Sequence, residues 1–437
     1  MNLTDISVTT EWNLCSGCGV CVGICPKHCI GWKREAGMYQ PVIDQNSCIF
    51  CGTCTSVCPG LKHRYDELQD CVAVQGNVLL SCNAWSKSVD VRHISASGGV
   101  VSTLVCQLLE DETYDIAFLV DSYDYHQQLS TKPVTAQEMK DVVASCYPKS
   151  RYLPVSHENA IAYVKNNRAK KVIFIGTSCA VRGFESAVEK LHLPRENYLL
   201  IGLFCDRVFN YNVIDYYQQP AFCGDKKLEN LHFKNKESGG WPGNMKFFFS
   251  DGSTAYQDKS ERAKVKDYFM PERCLYCIDK LNVCADISLG DNYTQQDSSS
   301  LGSNSVIIRT ERGLAAWERV TSLIESHKVS MDQIMEAQYI DWRLNNLCYG
   351  KLKEQEIKRK TDHEIVLNIG VTTNRKPQEY QNRWKSSMQM LHAGEVYDSR
   401  PGELRGQMIK DEKGQNTSIV KKILSKVYHS IRGLYYD

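Results

Sequence analysis

The sequence predicts a chain of three parts: a small α+β domain at the N-terminus, an α/β domain after it, and a helical C-terminal region. Three observations carry this. Cysteines repeat in two runs, Cys15-Ser-Gly-Cys18-Gly-Val-Cys21-Val-Gly-Ile-Cys25-Pro26 and Cys48-Ile-Phe-Cys51-Gly-Thr-Cys54-Thr-Ser-Val-Cys58-Pro59. From about residue 71 to 310, short strand-like runs alternate with apolar stripes at helical spacing. From about 311 onward the pattern is helical.

Both runs read C-x-x-C-x-x-C-x-x-x-C-P, the ligand signature of a ferredoxin-like domain with two 4Fe-4S clusters. Three thiolates on a tight loop face three corners of one cubane, and the fourth cysteine crosses to the other cluster. Cys15, Cys18, Cys21 and Cys58 are therefore expected to hold one cluster, and Cys48, Cys51, Cys54 and Cys25 the second. The proline after each fourth cysteine turns the chain without leaving an N–H to satisfy. Gly17, Gly19 and Gly52 let backbone amides approach the sulfurs. A zinc-stabilised interaction module is the alternative, since C-x-x-C pairs also suit zinc, but zinc does not call for the duplicated fourth Cys-Pro. This domain spans 1–65, with Met38 to Ile43 as a strand between the runs.

Composition sets the remaining bounds. The 437 residues contain 52 Lys plus Arg against 51 Asp plus Glu, a balance that asks for no nucleic acid. Neither a signal-peptide core nor an apolar run of membrane-spanning length is present, which leads to the expectation of a cytoplasmic protein without a transmembrane segment. Twenty cysteines in such a chain serve metal centres better than disulfides. Cys29, Cys71, Cys82, Cys106, Cys146, Cys223, Cys284 and Cys348 fall outside the motifs and read by default as buried or bystander thiols.

The second part, 71–310, supplies its elements in order. Ser97-Gly98-Gly99 opens a helix whose apolar face is Val100, Val101, Leu104, Val105, Leu108 and Leu109, with Ser97 as the expected N-cap and open amides suited to an anion. Ile116 to Val120 is a strand, and Thr135-Ala-Gln-Glu138 a capping box. Lys171 to Ile175 is a strand leading through Gly176-Thr177-Ser178-Cys179 into a helix, and Leu199 to Phe204 is a second strand ending at Cys205. Ligand sites gather where strands of an α/β sheet end, so two cysteines at two such ends are candidates for one site. Leu228 to Phe233 and Met245 to Phe249 suggest a hairpin. Cys274-Leu-Tyr-Cys277 is a lone C-x-x-C that suits zinc, a redox disulfide or a cluster, and with Cys179 and Cys205 it makes a four-thiolate set, enough for a third cluster. No G-x-G-x-x-G follows a strand, so a nicotinamide site of that type is unsupported. In the third part, 311–437, Gly313 to Leu323 and a basic amphipathic stretch from Ser418 to Leu434 read as helices.

The ordered set Ser95-Ala-Ser97-Gly98-Gly99, Ser145-Cys-Tyr147-Pro-Lys149-Ser150, Phe174-Ile-Gly176-Thr177-Ser178-Cys179, Cys205, Cys274-x-x-Cys277 and Ala285-Asp286-Ile-Ser-Leu-Gly290-Asp291 resembles the beta-subunit family of deazaflavin-dependent hydrogenases and dehydrogenases. The resemblance implies an FAD-binding α/β domain with a third 4Fe-4S cluster beside the flavin. Cys179, Cys205, Cys274 and Cys277 would be its ligands, with Cys284 as the substitute. Ser97, Gly98, Gly99, Tyr147, Lys149, Ser150, Gly176, Thr177, Gly290 and Asp291 would contact or adjoin the flavin. His93, Tyr147, Lys149 and Asp206 are the candidates for proton donation.

Together these features predict an iron-sulfur flavoprotein oxidoreductase in which clusters pass single electrons and the flavin converts them to two-electron chemistry on a small-molecule substrate. The electrons come from a redox partner, a ferredoxin or a dehydrogenase or hydrogenase subunit. The alternative is an electron-transfer subunit whose flavin serves a deazaflavin coenzyme. The sequence leaves the oligomeric state open, a homo-oligomer included.

Overall fold

The computed structural model of the chain describes residues 5–61, 74–120, 124–144, 150–361, 365–367, 371 and 373–413. Each cysteine run passes through a left-handed glycine, Gly19 at φ 76° and Gly52 at φ 68°, and enters a short helix, Val20–Ile24 and Thr53–Ser56. Only glycine takes that turn without strain, so the internal repeat of the sequence becomes a repeat of backbone shape. Between the runs, β1 (Ile30–Glu35) and β2 (Met38–Ile43) form an antiparallel hairpin.

The α/β part is built on a nine-stranded mixed sheet. Its strands are β3 (Leu80–Ser86), β4 (Ile116–Val120), β5 (Leu129–Val134), β6 (Val155–Ser156), β7 (Val172–Thr177), β8 (Tyr198–Leu203), β12 (Ile287–Asp291), β13 (Asn304–Ile308) and β14 (Ile324–Lys328). A separate antiparallel sheet holds β9 (Leu228–Asn235), β10 (Asn244–Phe249) and β11 (Thr254–Gln257). The order in the large sheet is β14-β3-β13-β12-β8-β7-β4-β5-β6, with β12, β8, β7 and β4 parallel. Alternation along β7 and β8 sorts the core into two faces. Ile173, Leu199 and Ile201 pack with the helix Val100–Glu110 and Trp317. Val172, Phe174, Tyr198 and Leu200 pack with the helices Glu158–Asn166 and Ser178–Lys190.

The second face also takes up Val20, Ile24 and Val57 from the cysteine-rich domain. Its docking depends on missing side chains. A Cβ on Gly23 would lie 2.5 Å from the Glu158 carbonyl oxygen, and one on Gly183 would lie 2.8 Å from Val20. The His157 N–H donates to the Cys18 carbonyl at 2.9 Å, tying the two domains through backbone. Gly19, expected to serve its own cluster loop, abuts the Ser156 hydroxyl and the His157 amide.

Three sequence expectations change. Ser97 does not cap its helix: Gly99 holds the N-cap position at φ 82°, and the Ser97 hydroxyl donates instead to the Ser303 carbonyl at 2.8 Å. Glu138 accepts from both the amide and the hydroxyl of Thr135, which completes only half of a capping box. The stretch after 311 is not wholly helical, because β14 pairs antiparallel with β3. An edge strand needs little apolar surface, and only Ile324 of β14 is buried. The helices Glu311–Glu318, Asn345–Thr361 and Gln381–Glu395 do occur there, while residues 418–434 lie outside the described residues. Among the described residues, no helix is long and apolar enough to cross a membrane.

Candidate functional site

Cysteines of the two runs are close neighbours. Cys21 neighbours Cys18, Cys15 and Cys58, and then Cys54 of the other set. Cys25, Cys48, Cys51 and Cys54 line one open cavity together with Cys29. Backbone amides reach the sulfurs on the turns: Gly17 to Cys15 at 3.3 Å, Phe50 to Cys48 and Gly60 to Cys58 at 3.4 Å. Burial, joined by neighbouring cysteines, pushes the thiols of Cys15, Cys18 and Cys58 up to about 12. Such thiols ionise when a cation compensates the charge, which is what bound iron supplies. Among the described residues, no three His, Cys, Asp or Glu side chains converge on a single ion. A cubane asks for less convergence, since its four ligands reach separate corners of a larger body.

The third set follows from strand register. In the parallel pair β7 and β8, Thr177 lies opposite Leu203, so Cys179 and Cys205 each stand two residues past paired strand ends. Cys179 occupies the first turn of the helix Ser178–Lys190. Its sulfur lies 3.2 Å from the Thr177 hydroxyl. Cys274 lies on the helix Glu272–Tyr276 and Cys277 ends it. Cys205 is flanked by Cys274, Cys179 and Cys277. Cys284 turns elsewhere, toward Arg182, Glu185 and Asp279. Asn346 donates to the Cys277 carbonyl at 2.9 Å, and the buried Arg182–Asp279 pair, 2.6 Å apart, braces the loop behind it.

Charge around this set comes from residues that sequence reasoning missed. Arg343 is buried beside Cys277, Cys205 and Cys274. It also pairs with Asp206 at 3.1 Å, and Arg207 and Lys280 flank the same carboxylate. Burial alone would raise the Asp206 pKa, but Arg343, then Arg207 and Lys280, hold it well below the usual carboxylate range. Near neutral pH Asp206 therefore balances cations and has no proton to give. His93 is exposed on the helix Val89–Ile94, and of the segment 147–150 only Ser150 lies among the described residues.

The three sets are neighbours in space. Cys179 acts on both Cys15 and Cys18, joining the third set to the first. Arg273, one residue before Cys274, approaches Cys58 and donates to the Pro59 carbonyl at 3.3 Å. At the far end, Phe204, just before Cys205, fills the space beside Gly290, where a Cβ would lie 2.5 Å from it. Asp291 follows, half-buried in an ion pair with the buried Lys234 of β9. Burial opposes ionisation of Asp291, but Lys234 holds its carboxyl below the usual range. Trp241 donates to Asp291 at 3.3 Å and Tyr293 at 3.2 Å, and Ser97 adjoins the same carboxylate. Lys234 also lies 5.8 Å above the Tyr152 ring.

The structure thus brings Ser97, Gly290 and Asp291 together and places Gly176 and Thr177 at the third cysteine set. It leaves Gly98 no room for a ligand on its Cβ side, since a side chain there would meet Asn304 at 2.7 Å and the Ala84 carbonyl at 2.9 Å.

Comparison with known proteins agrees with these motifs. Residues 14–60 match the 4Fe-4S dicluster domain. Residues 82–162 match the N-terminal part, and residues 169–337 the C-terminal part, of the coenzyme F420 hydrogenase/dehydrogenase beta subunit. An uncharacterised protein of Methanocaldococcus jannaschii is 25% identical over 338 residues, covering 71% of this chain and 87% of that protein. A chain of the F420-reducing NiFe hydrogenase complex from Methanosarcina barkeri aligns with a TM-score of 0.49 at 17% identity, covering 67% of this chain and 97% of that one. The chain is an iron-sulfur protein of an oxidoreductase family, and it belongs to the coenzyme F420 hydrogenase/dehydrogenase beta-subunit family.

Proposed function

We propose that the chain is an iron-sulfur flavoprotein oxidoreductase that links a one-electron redox partner to an organic substrate through FAD. The observation that carries this is the contiguity of the three cysteine sets with the side chains around Asp291: Cys54 by Cys21, Cys15 and Cys18 by Cys179, and Phe204-Cys205 by Gly290. When bound, 4Fe-4S clusters exchange single electrons and a flavin exchanges one or two.

The chain's own residues set the terms for both. The second set faces outward: Cys51 is exposed, and Ile49 and Phe50 beside it are 55% and 53% exposed. An apolar loop at that set suits the approach of a redox partner. The first set lies between the domains, with Cys21 and Cys58 buried and Cys15 and Cys18 half-buried, which limits its contact with water. At the other end, Lys234, Asp291, Trp241 and Tyr293 offer a fixed charge pair flanked by aromatic faces, a donor and acceptor set that fits the polar edge and flat ring of a flavin. Ser97 adjoins the Asp291 carboxylate, whereas the packed Gly98 weighs against a pyrophosphate bound directly over it.

A second reading is favoured by the family match: the side chains around Asp291 serve a deazaflavin coenzyme, and the N-terminal domain docks on a hydrogenase or dehydrogenase subunit. Iron, acid-labile sulfide and flavin content of anaerobically purified protein tests both against the zinc alternative. Three cubanes require roughly twelve irons per chain, with Cys274→Ser losing about four. One FAD per chain accompanies them. About eight irons without flavin would overturn the reading of the α/β part, and a colourless zinc protein would overturn all of it. A tightly co-purifying subunit favours the second reading, and turnover by the lone chain the first.

A further inference from the structure

The cavity of the second cysteine set is lined by five cysteines: the four expected ligands and Cys29. Cys29 is buried, its sulfur is 3.5 Å from that of Cys25, and Cys48 is its next cysteine neighbour. The two close thiols are presented by different elements. Cys25 ends the helix Val20–Ile24. Cys29 enters β1, anchored by its carbonyl, which accepts from the Asp44 amide at 2.8 Å. His28, at φ 50°, turns the chain back so that both sulfurs reach one corner of the cavity. Pro26, Ile30 and Ile43 line the cavity beside them and give a thiol no acceptor.

Resting on the assignment of this set as a cluster site, we propose that Cys29 is a second ligand for the corner given to Cys25, so that either thiolate can hold it. Either sulfur would supply the one thiolate that an iron takes there, so an exchange would break one iron–sulfur bond for each one it forms. The Cys29 thiol proton passes to the Cys25 sulfur across their contact, and no electron is gained or lost. The outermost set thereby keeps a complete ligand shell when one thiolate is displaced.

The test uses full-length, anaerobically purified wild type, Cys25→Ala, Cys29→Ala and the double variant. Iron content, the EPR signal of the reduced clusters, and protection of each cysteine from iodoacetamide, mapped by peptide mass spectrometry, are measured. Cys25→Ala is expected to keep its iron to within about one atom per chain, with an altered EPR signal and Cys29 newly protected, while the double variant loses up to about four irons. Protection of Cys15 and Cys18 reports that the domain is folded in each case. Equal iron loss in Cys25→Ala and the double variant, with Cys29 alkylated, would overturn the proposal. If Cys25→Ala does not fold, timed alkylation of wild type decides: partial labelling of both Cys25 and Cys29 supports exchange, and labelling of Cys29 alone refutes it. Unprotected Cys48, Cys51 and Cys54 in wild type would instead refute the cluster assignment beneath it.

Discussion

Replacing Gly23 with alanine should part the seam between the cysteine-rich domain and the α/β domain without removing a ligand. The new Cβ would lie 2.5 Å from the Glu158 carbonyl oxygen, 2.8 Å from the Ile161 Cβ and 3.1 Å from the Glu158 Cα, where ordinary contact starts at 3.4 Å. Two of those atoms are backbone and cannot swing aside, so the helices Val20–Ile24 and Glu158–Asn166 must separate by roughly 1 Å, an overpacking that costs about 1–3 kcal/mol. Alanine's better helix propensity offsets about 1 kcal/mol, so the balance is a net loss of up to about 2 kcal/mol. The displacement falls next to the His157 to Cys18 backbone bond, and hence between the first and third cysteine sets. Stopped-flow reduction of the N-terminal centres, followed at the third, should be slowed in Gly23→Ala at unchanged iron content. Gly31→Ala is the control, since nothing lies within 4 Å of its added carbon. A Gly23→Ala protein with the urea midpoint and transfer rate of wild type would refute the argument that this close approach sets the spacing.

Other expectations follow from single side chains. Asp286 is buried and accepts from the Leu200 amide and Thr310 at 2.8 Å and from Arg195 and Arg312 at 3.1 Å. Asp286→Asn turns an NH2 group toward two of these donors, which should cost about 3 kcal/mol and lower the urea midpoint. Burial, and then Glu272, pushes the carboxyl of Glu395 up to about 7 from 4.5. Its folded pKa lies above the unfolded one, so the folded state binds the extra proton and stability is lost as pH rises from about 4.5 through 7. Glu395→Gln should therefore be more stable than wild type by about 2 kcal/mol at pH 8 and indistinguishable from it at pH 4, read from urea titrations at both. Arg343→Gln removes a buried cation from beside Cys205, Cys274 and Cys277. It should lower the potential of the third centre by an amount on the order of tens of millivolts in a redox titration monitored by EPR, and an unchanged potential would show that Asp206 already cancels the charge.

What the sequence disclosed depended on how local each rule is. Ligand spacing within a cysteine run is set by a few bonds of backbone, so the N-terminal domain was legible residue by residue. Cys179 and Cys205 were legible only as strand ends, and the register of β7 on β8 turns that into proximity. Arg343, Lys234 and Trp241 were not legible, because their partners Asp206 and Asp291 belong to distant elements and no spacing rule links them. Ser97 misled for a physical reason: Gly99 supplies the turn that the cap position needs, which frees the serine to bond β13's approach instead.

The direction of the cysteine series was written in the repeat itself, in the residues between the ligands. The first run carries Val20, Val22, Gly23 and Ile24, and the second Thr53, Thr55 and Ser56, at the helix that follows each left-handed glycine. An apolar helix with a glycine demands a partner surface, and Val20, Gly23 and Ile24 are indeed buried against the α/β domain. A helix of threonine and serine asks for none, and Thr53–Ser56 has no buried residue. Ligand chemistry alone would leave the two sets equivalent. The non-ligand residues break that symmetry, turning the first set toward Cys179 and leaving Cys51 at the surface. Exchanging the two polarities, with Thr53 and Thr55 made valine and Ser56 glycine, should create a sticky outer face that self-associates in analytical ultracentrifugation. A strictly monomeric variant, where the wild type is monomeric, would show that the apolar residues of the first run do not direct its docking.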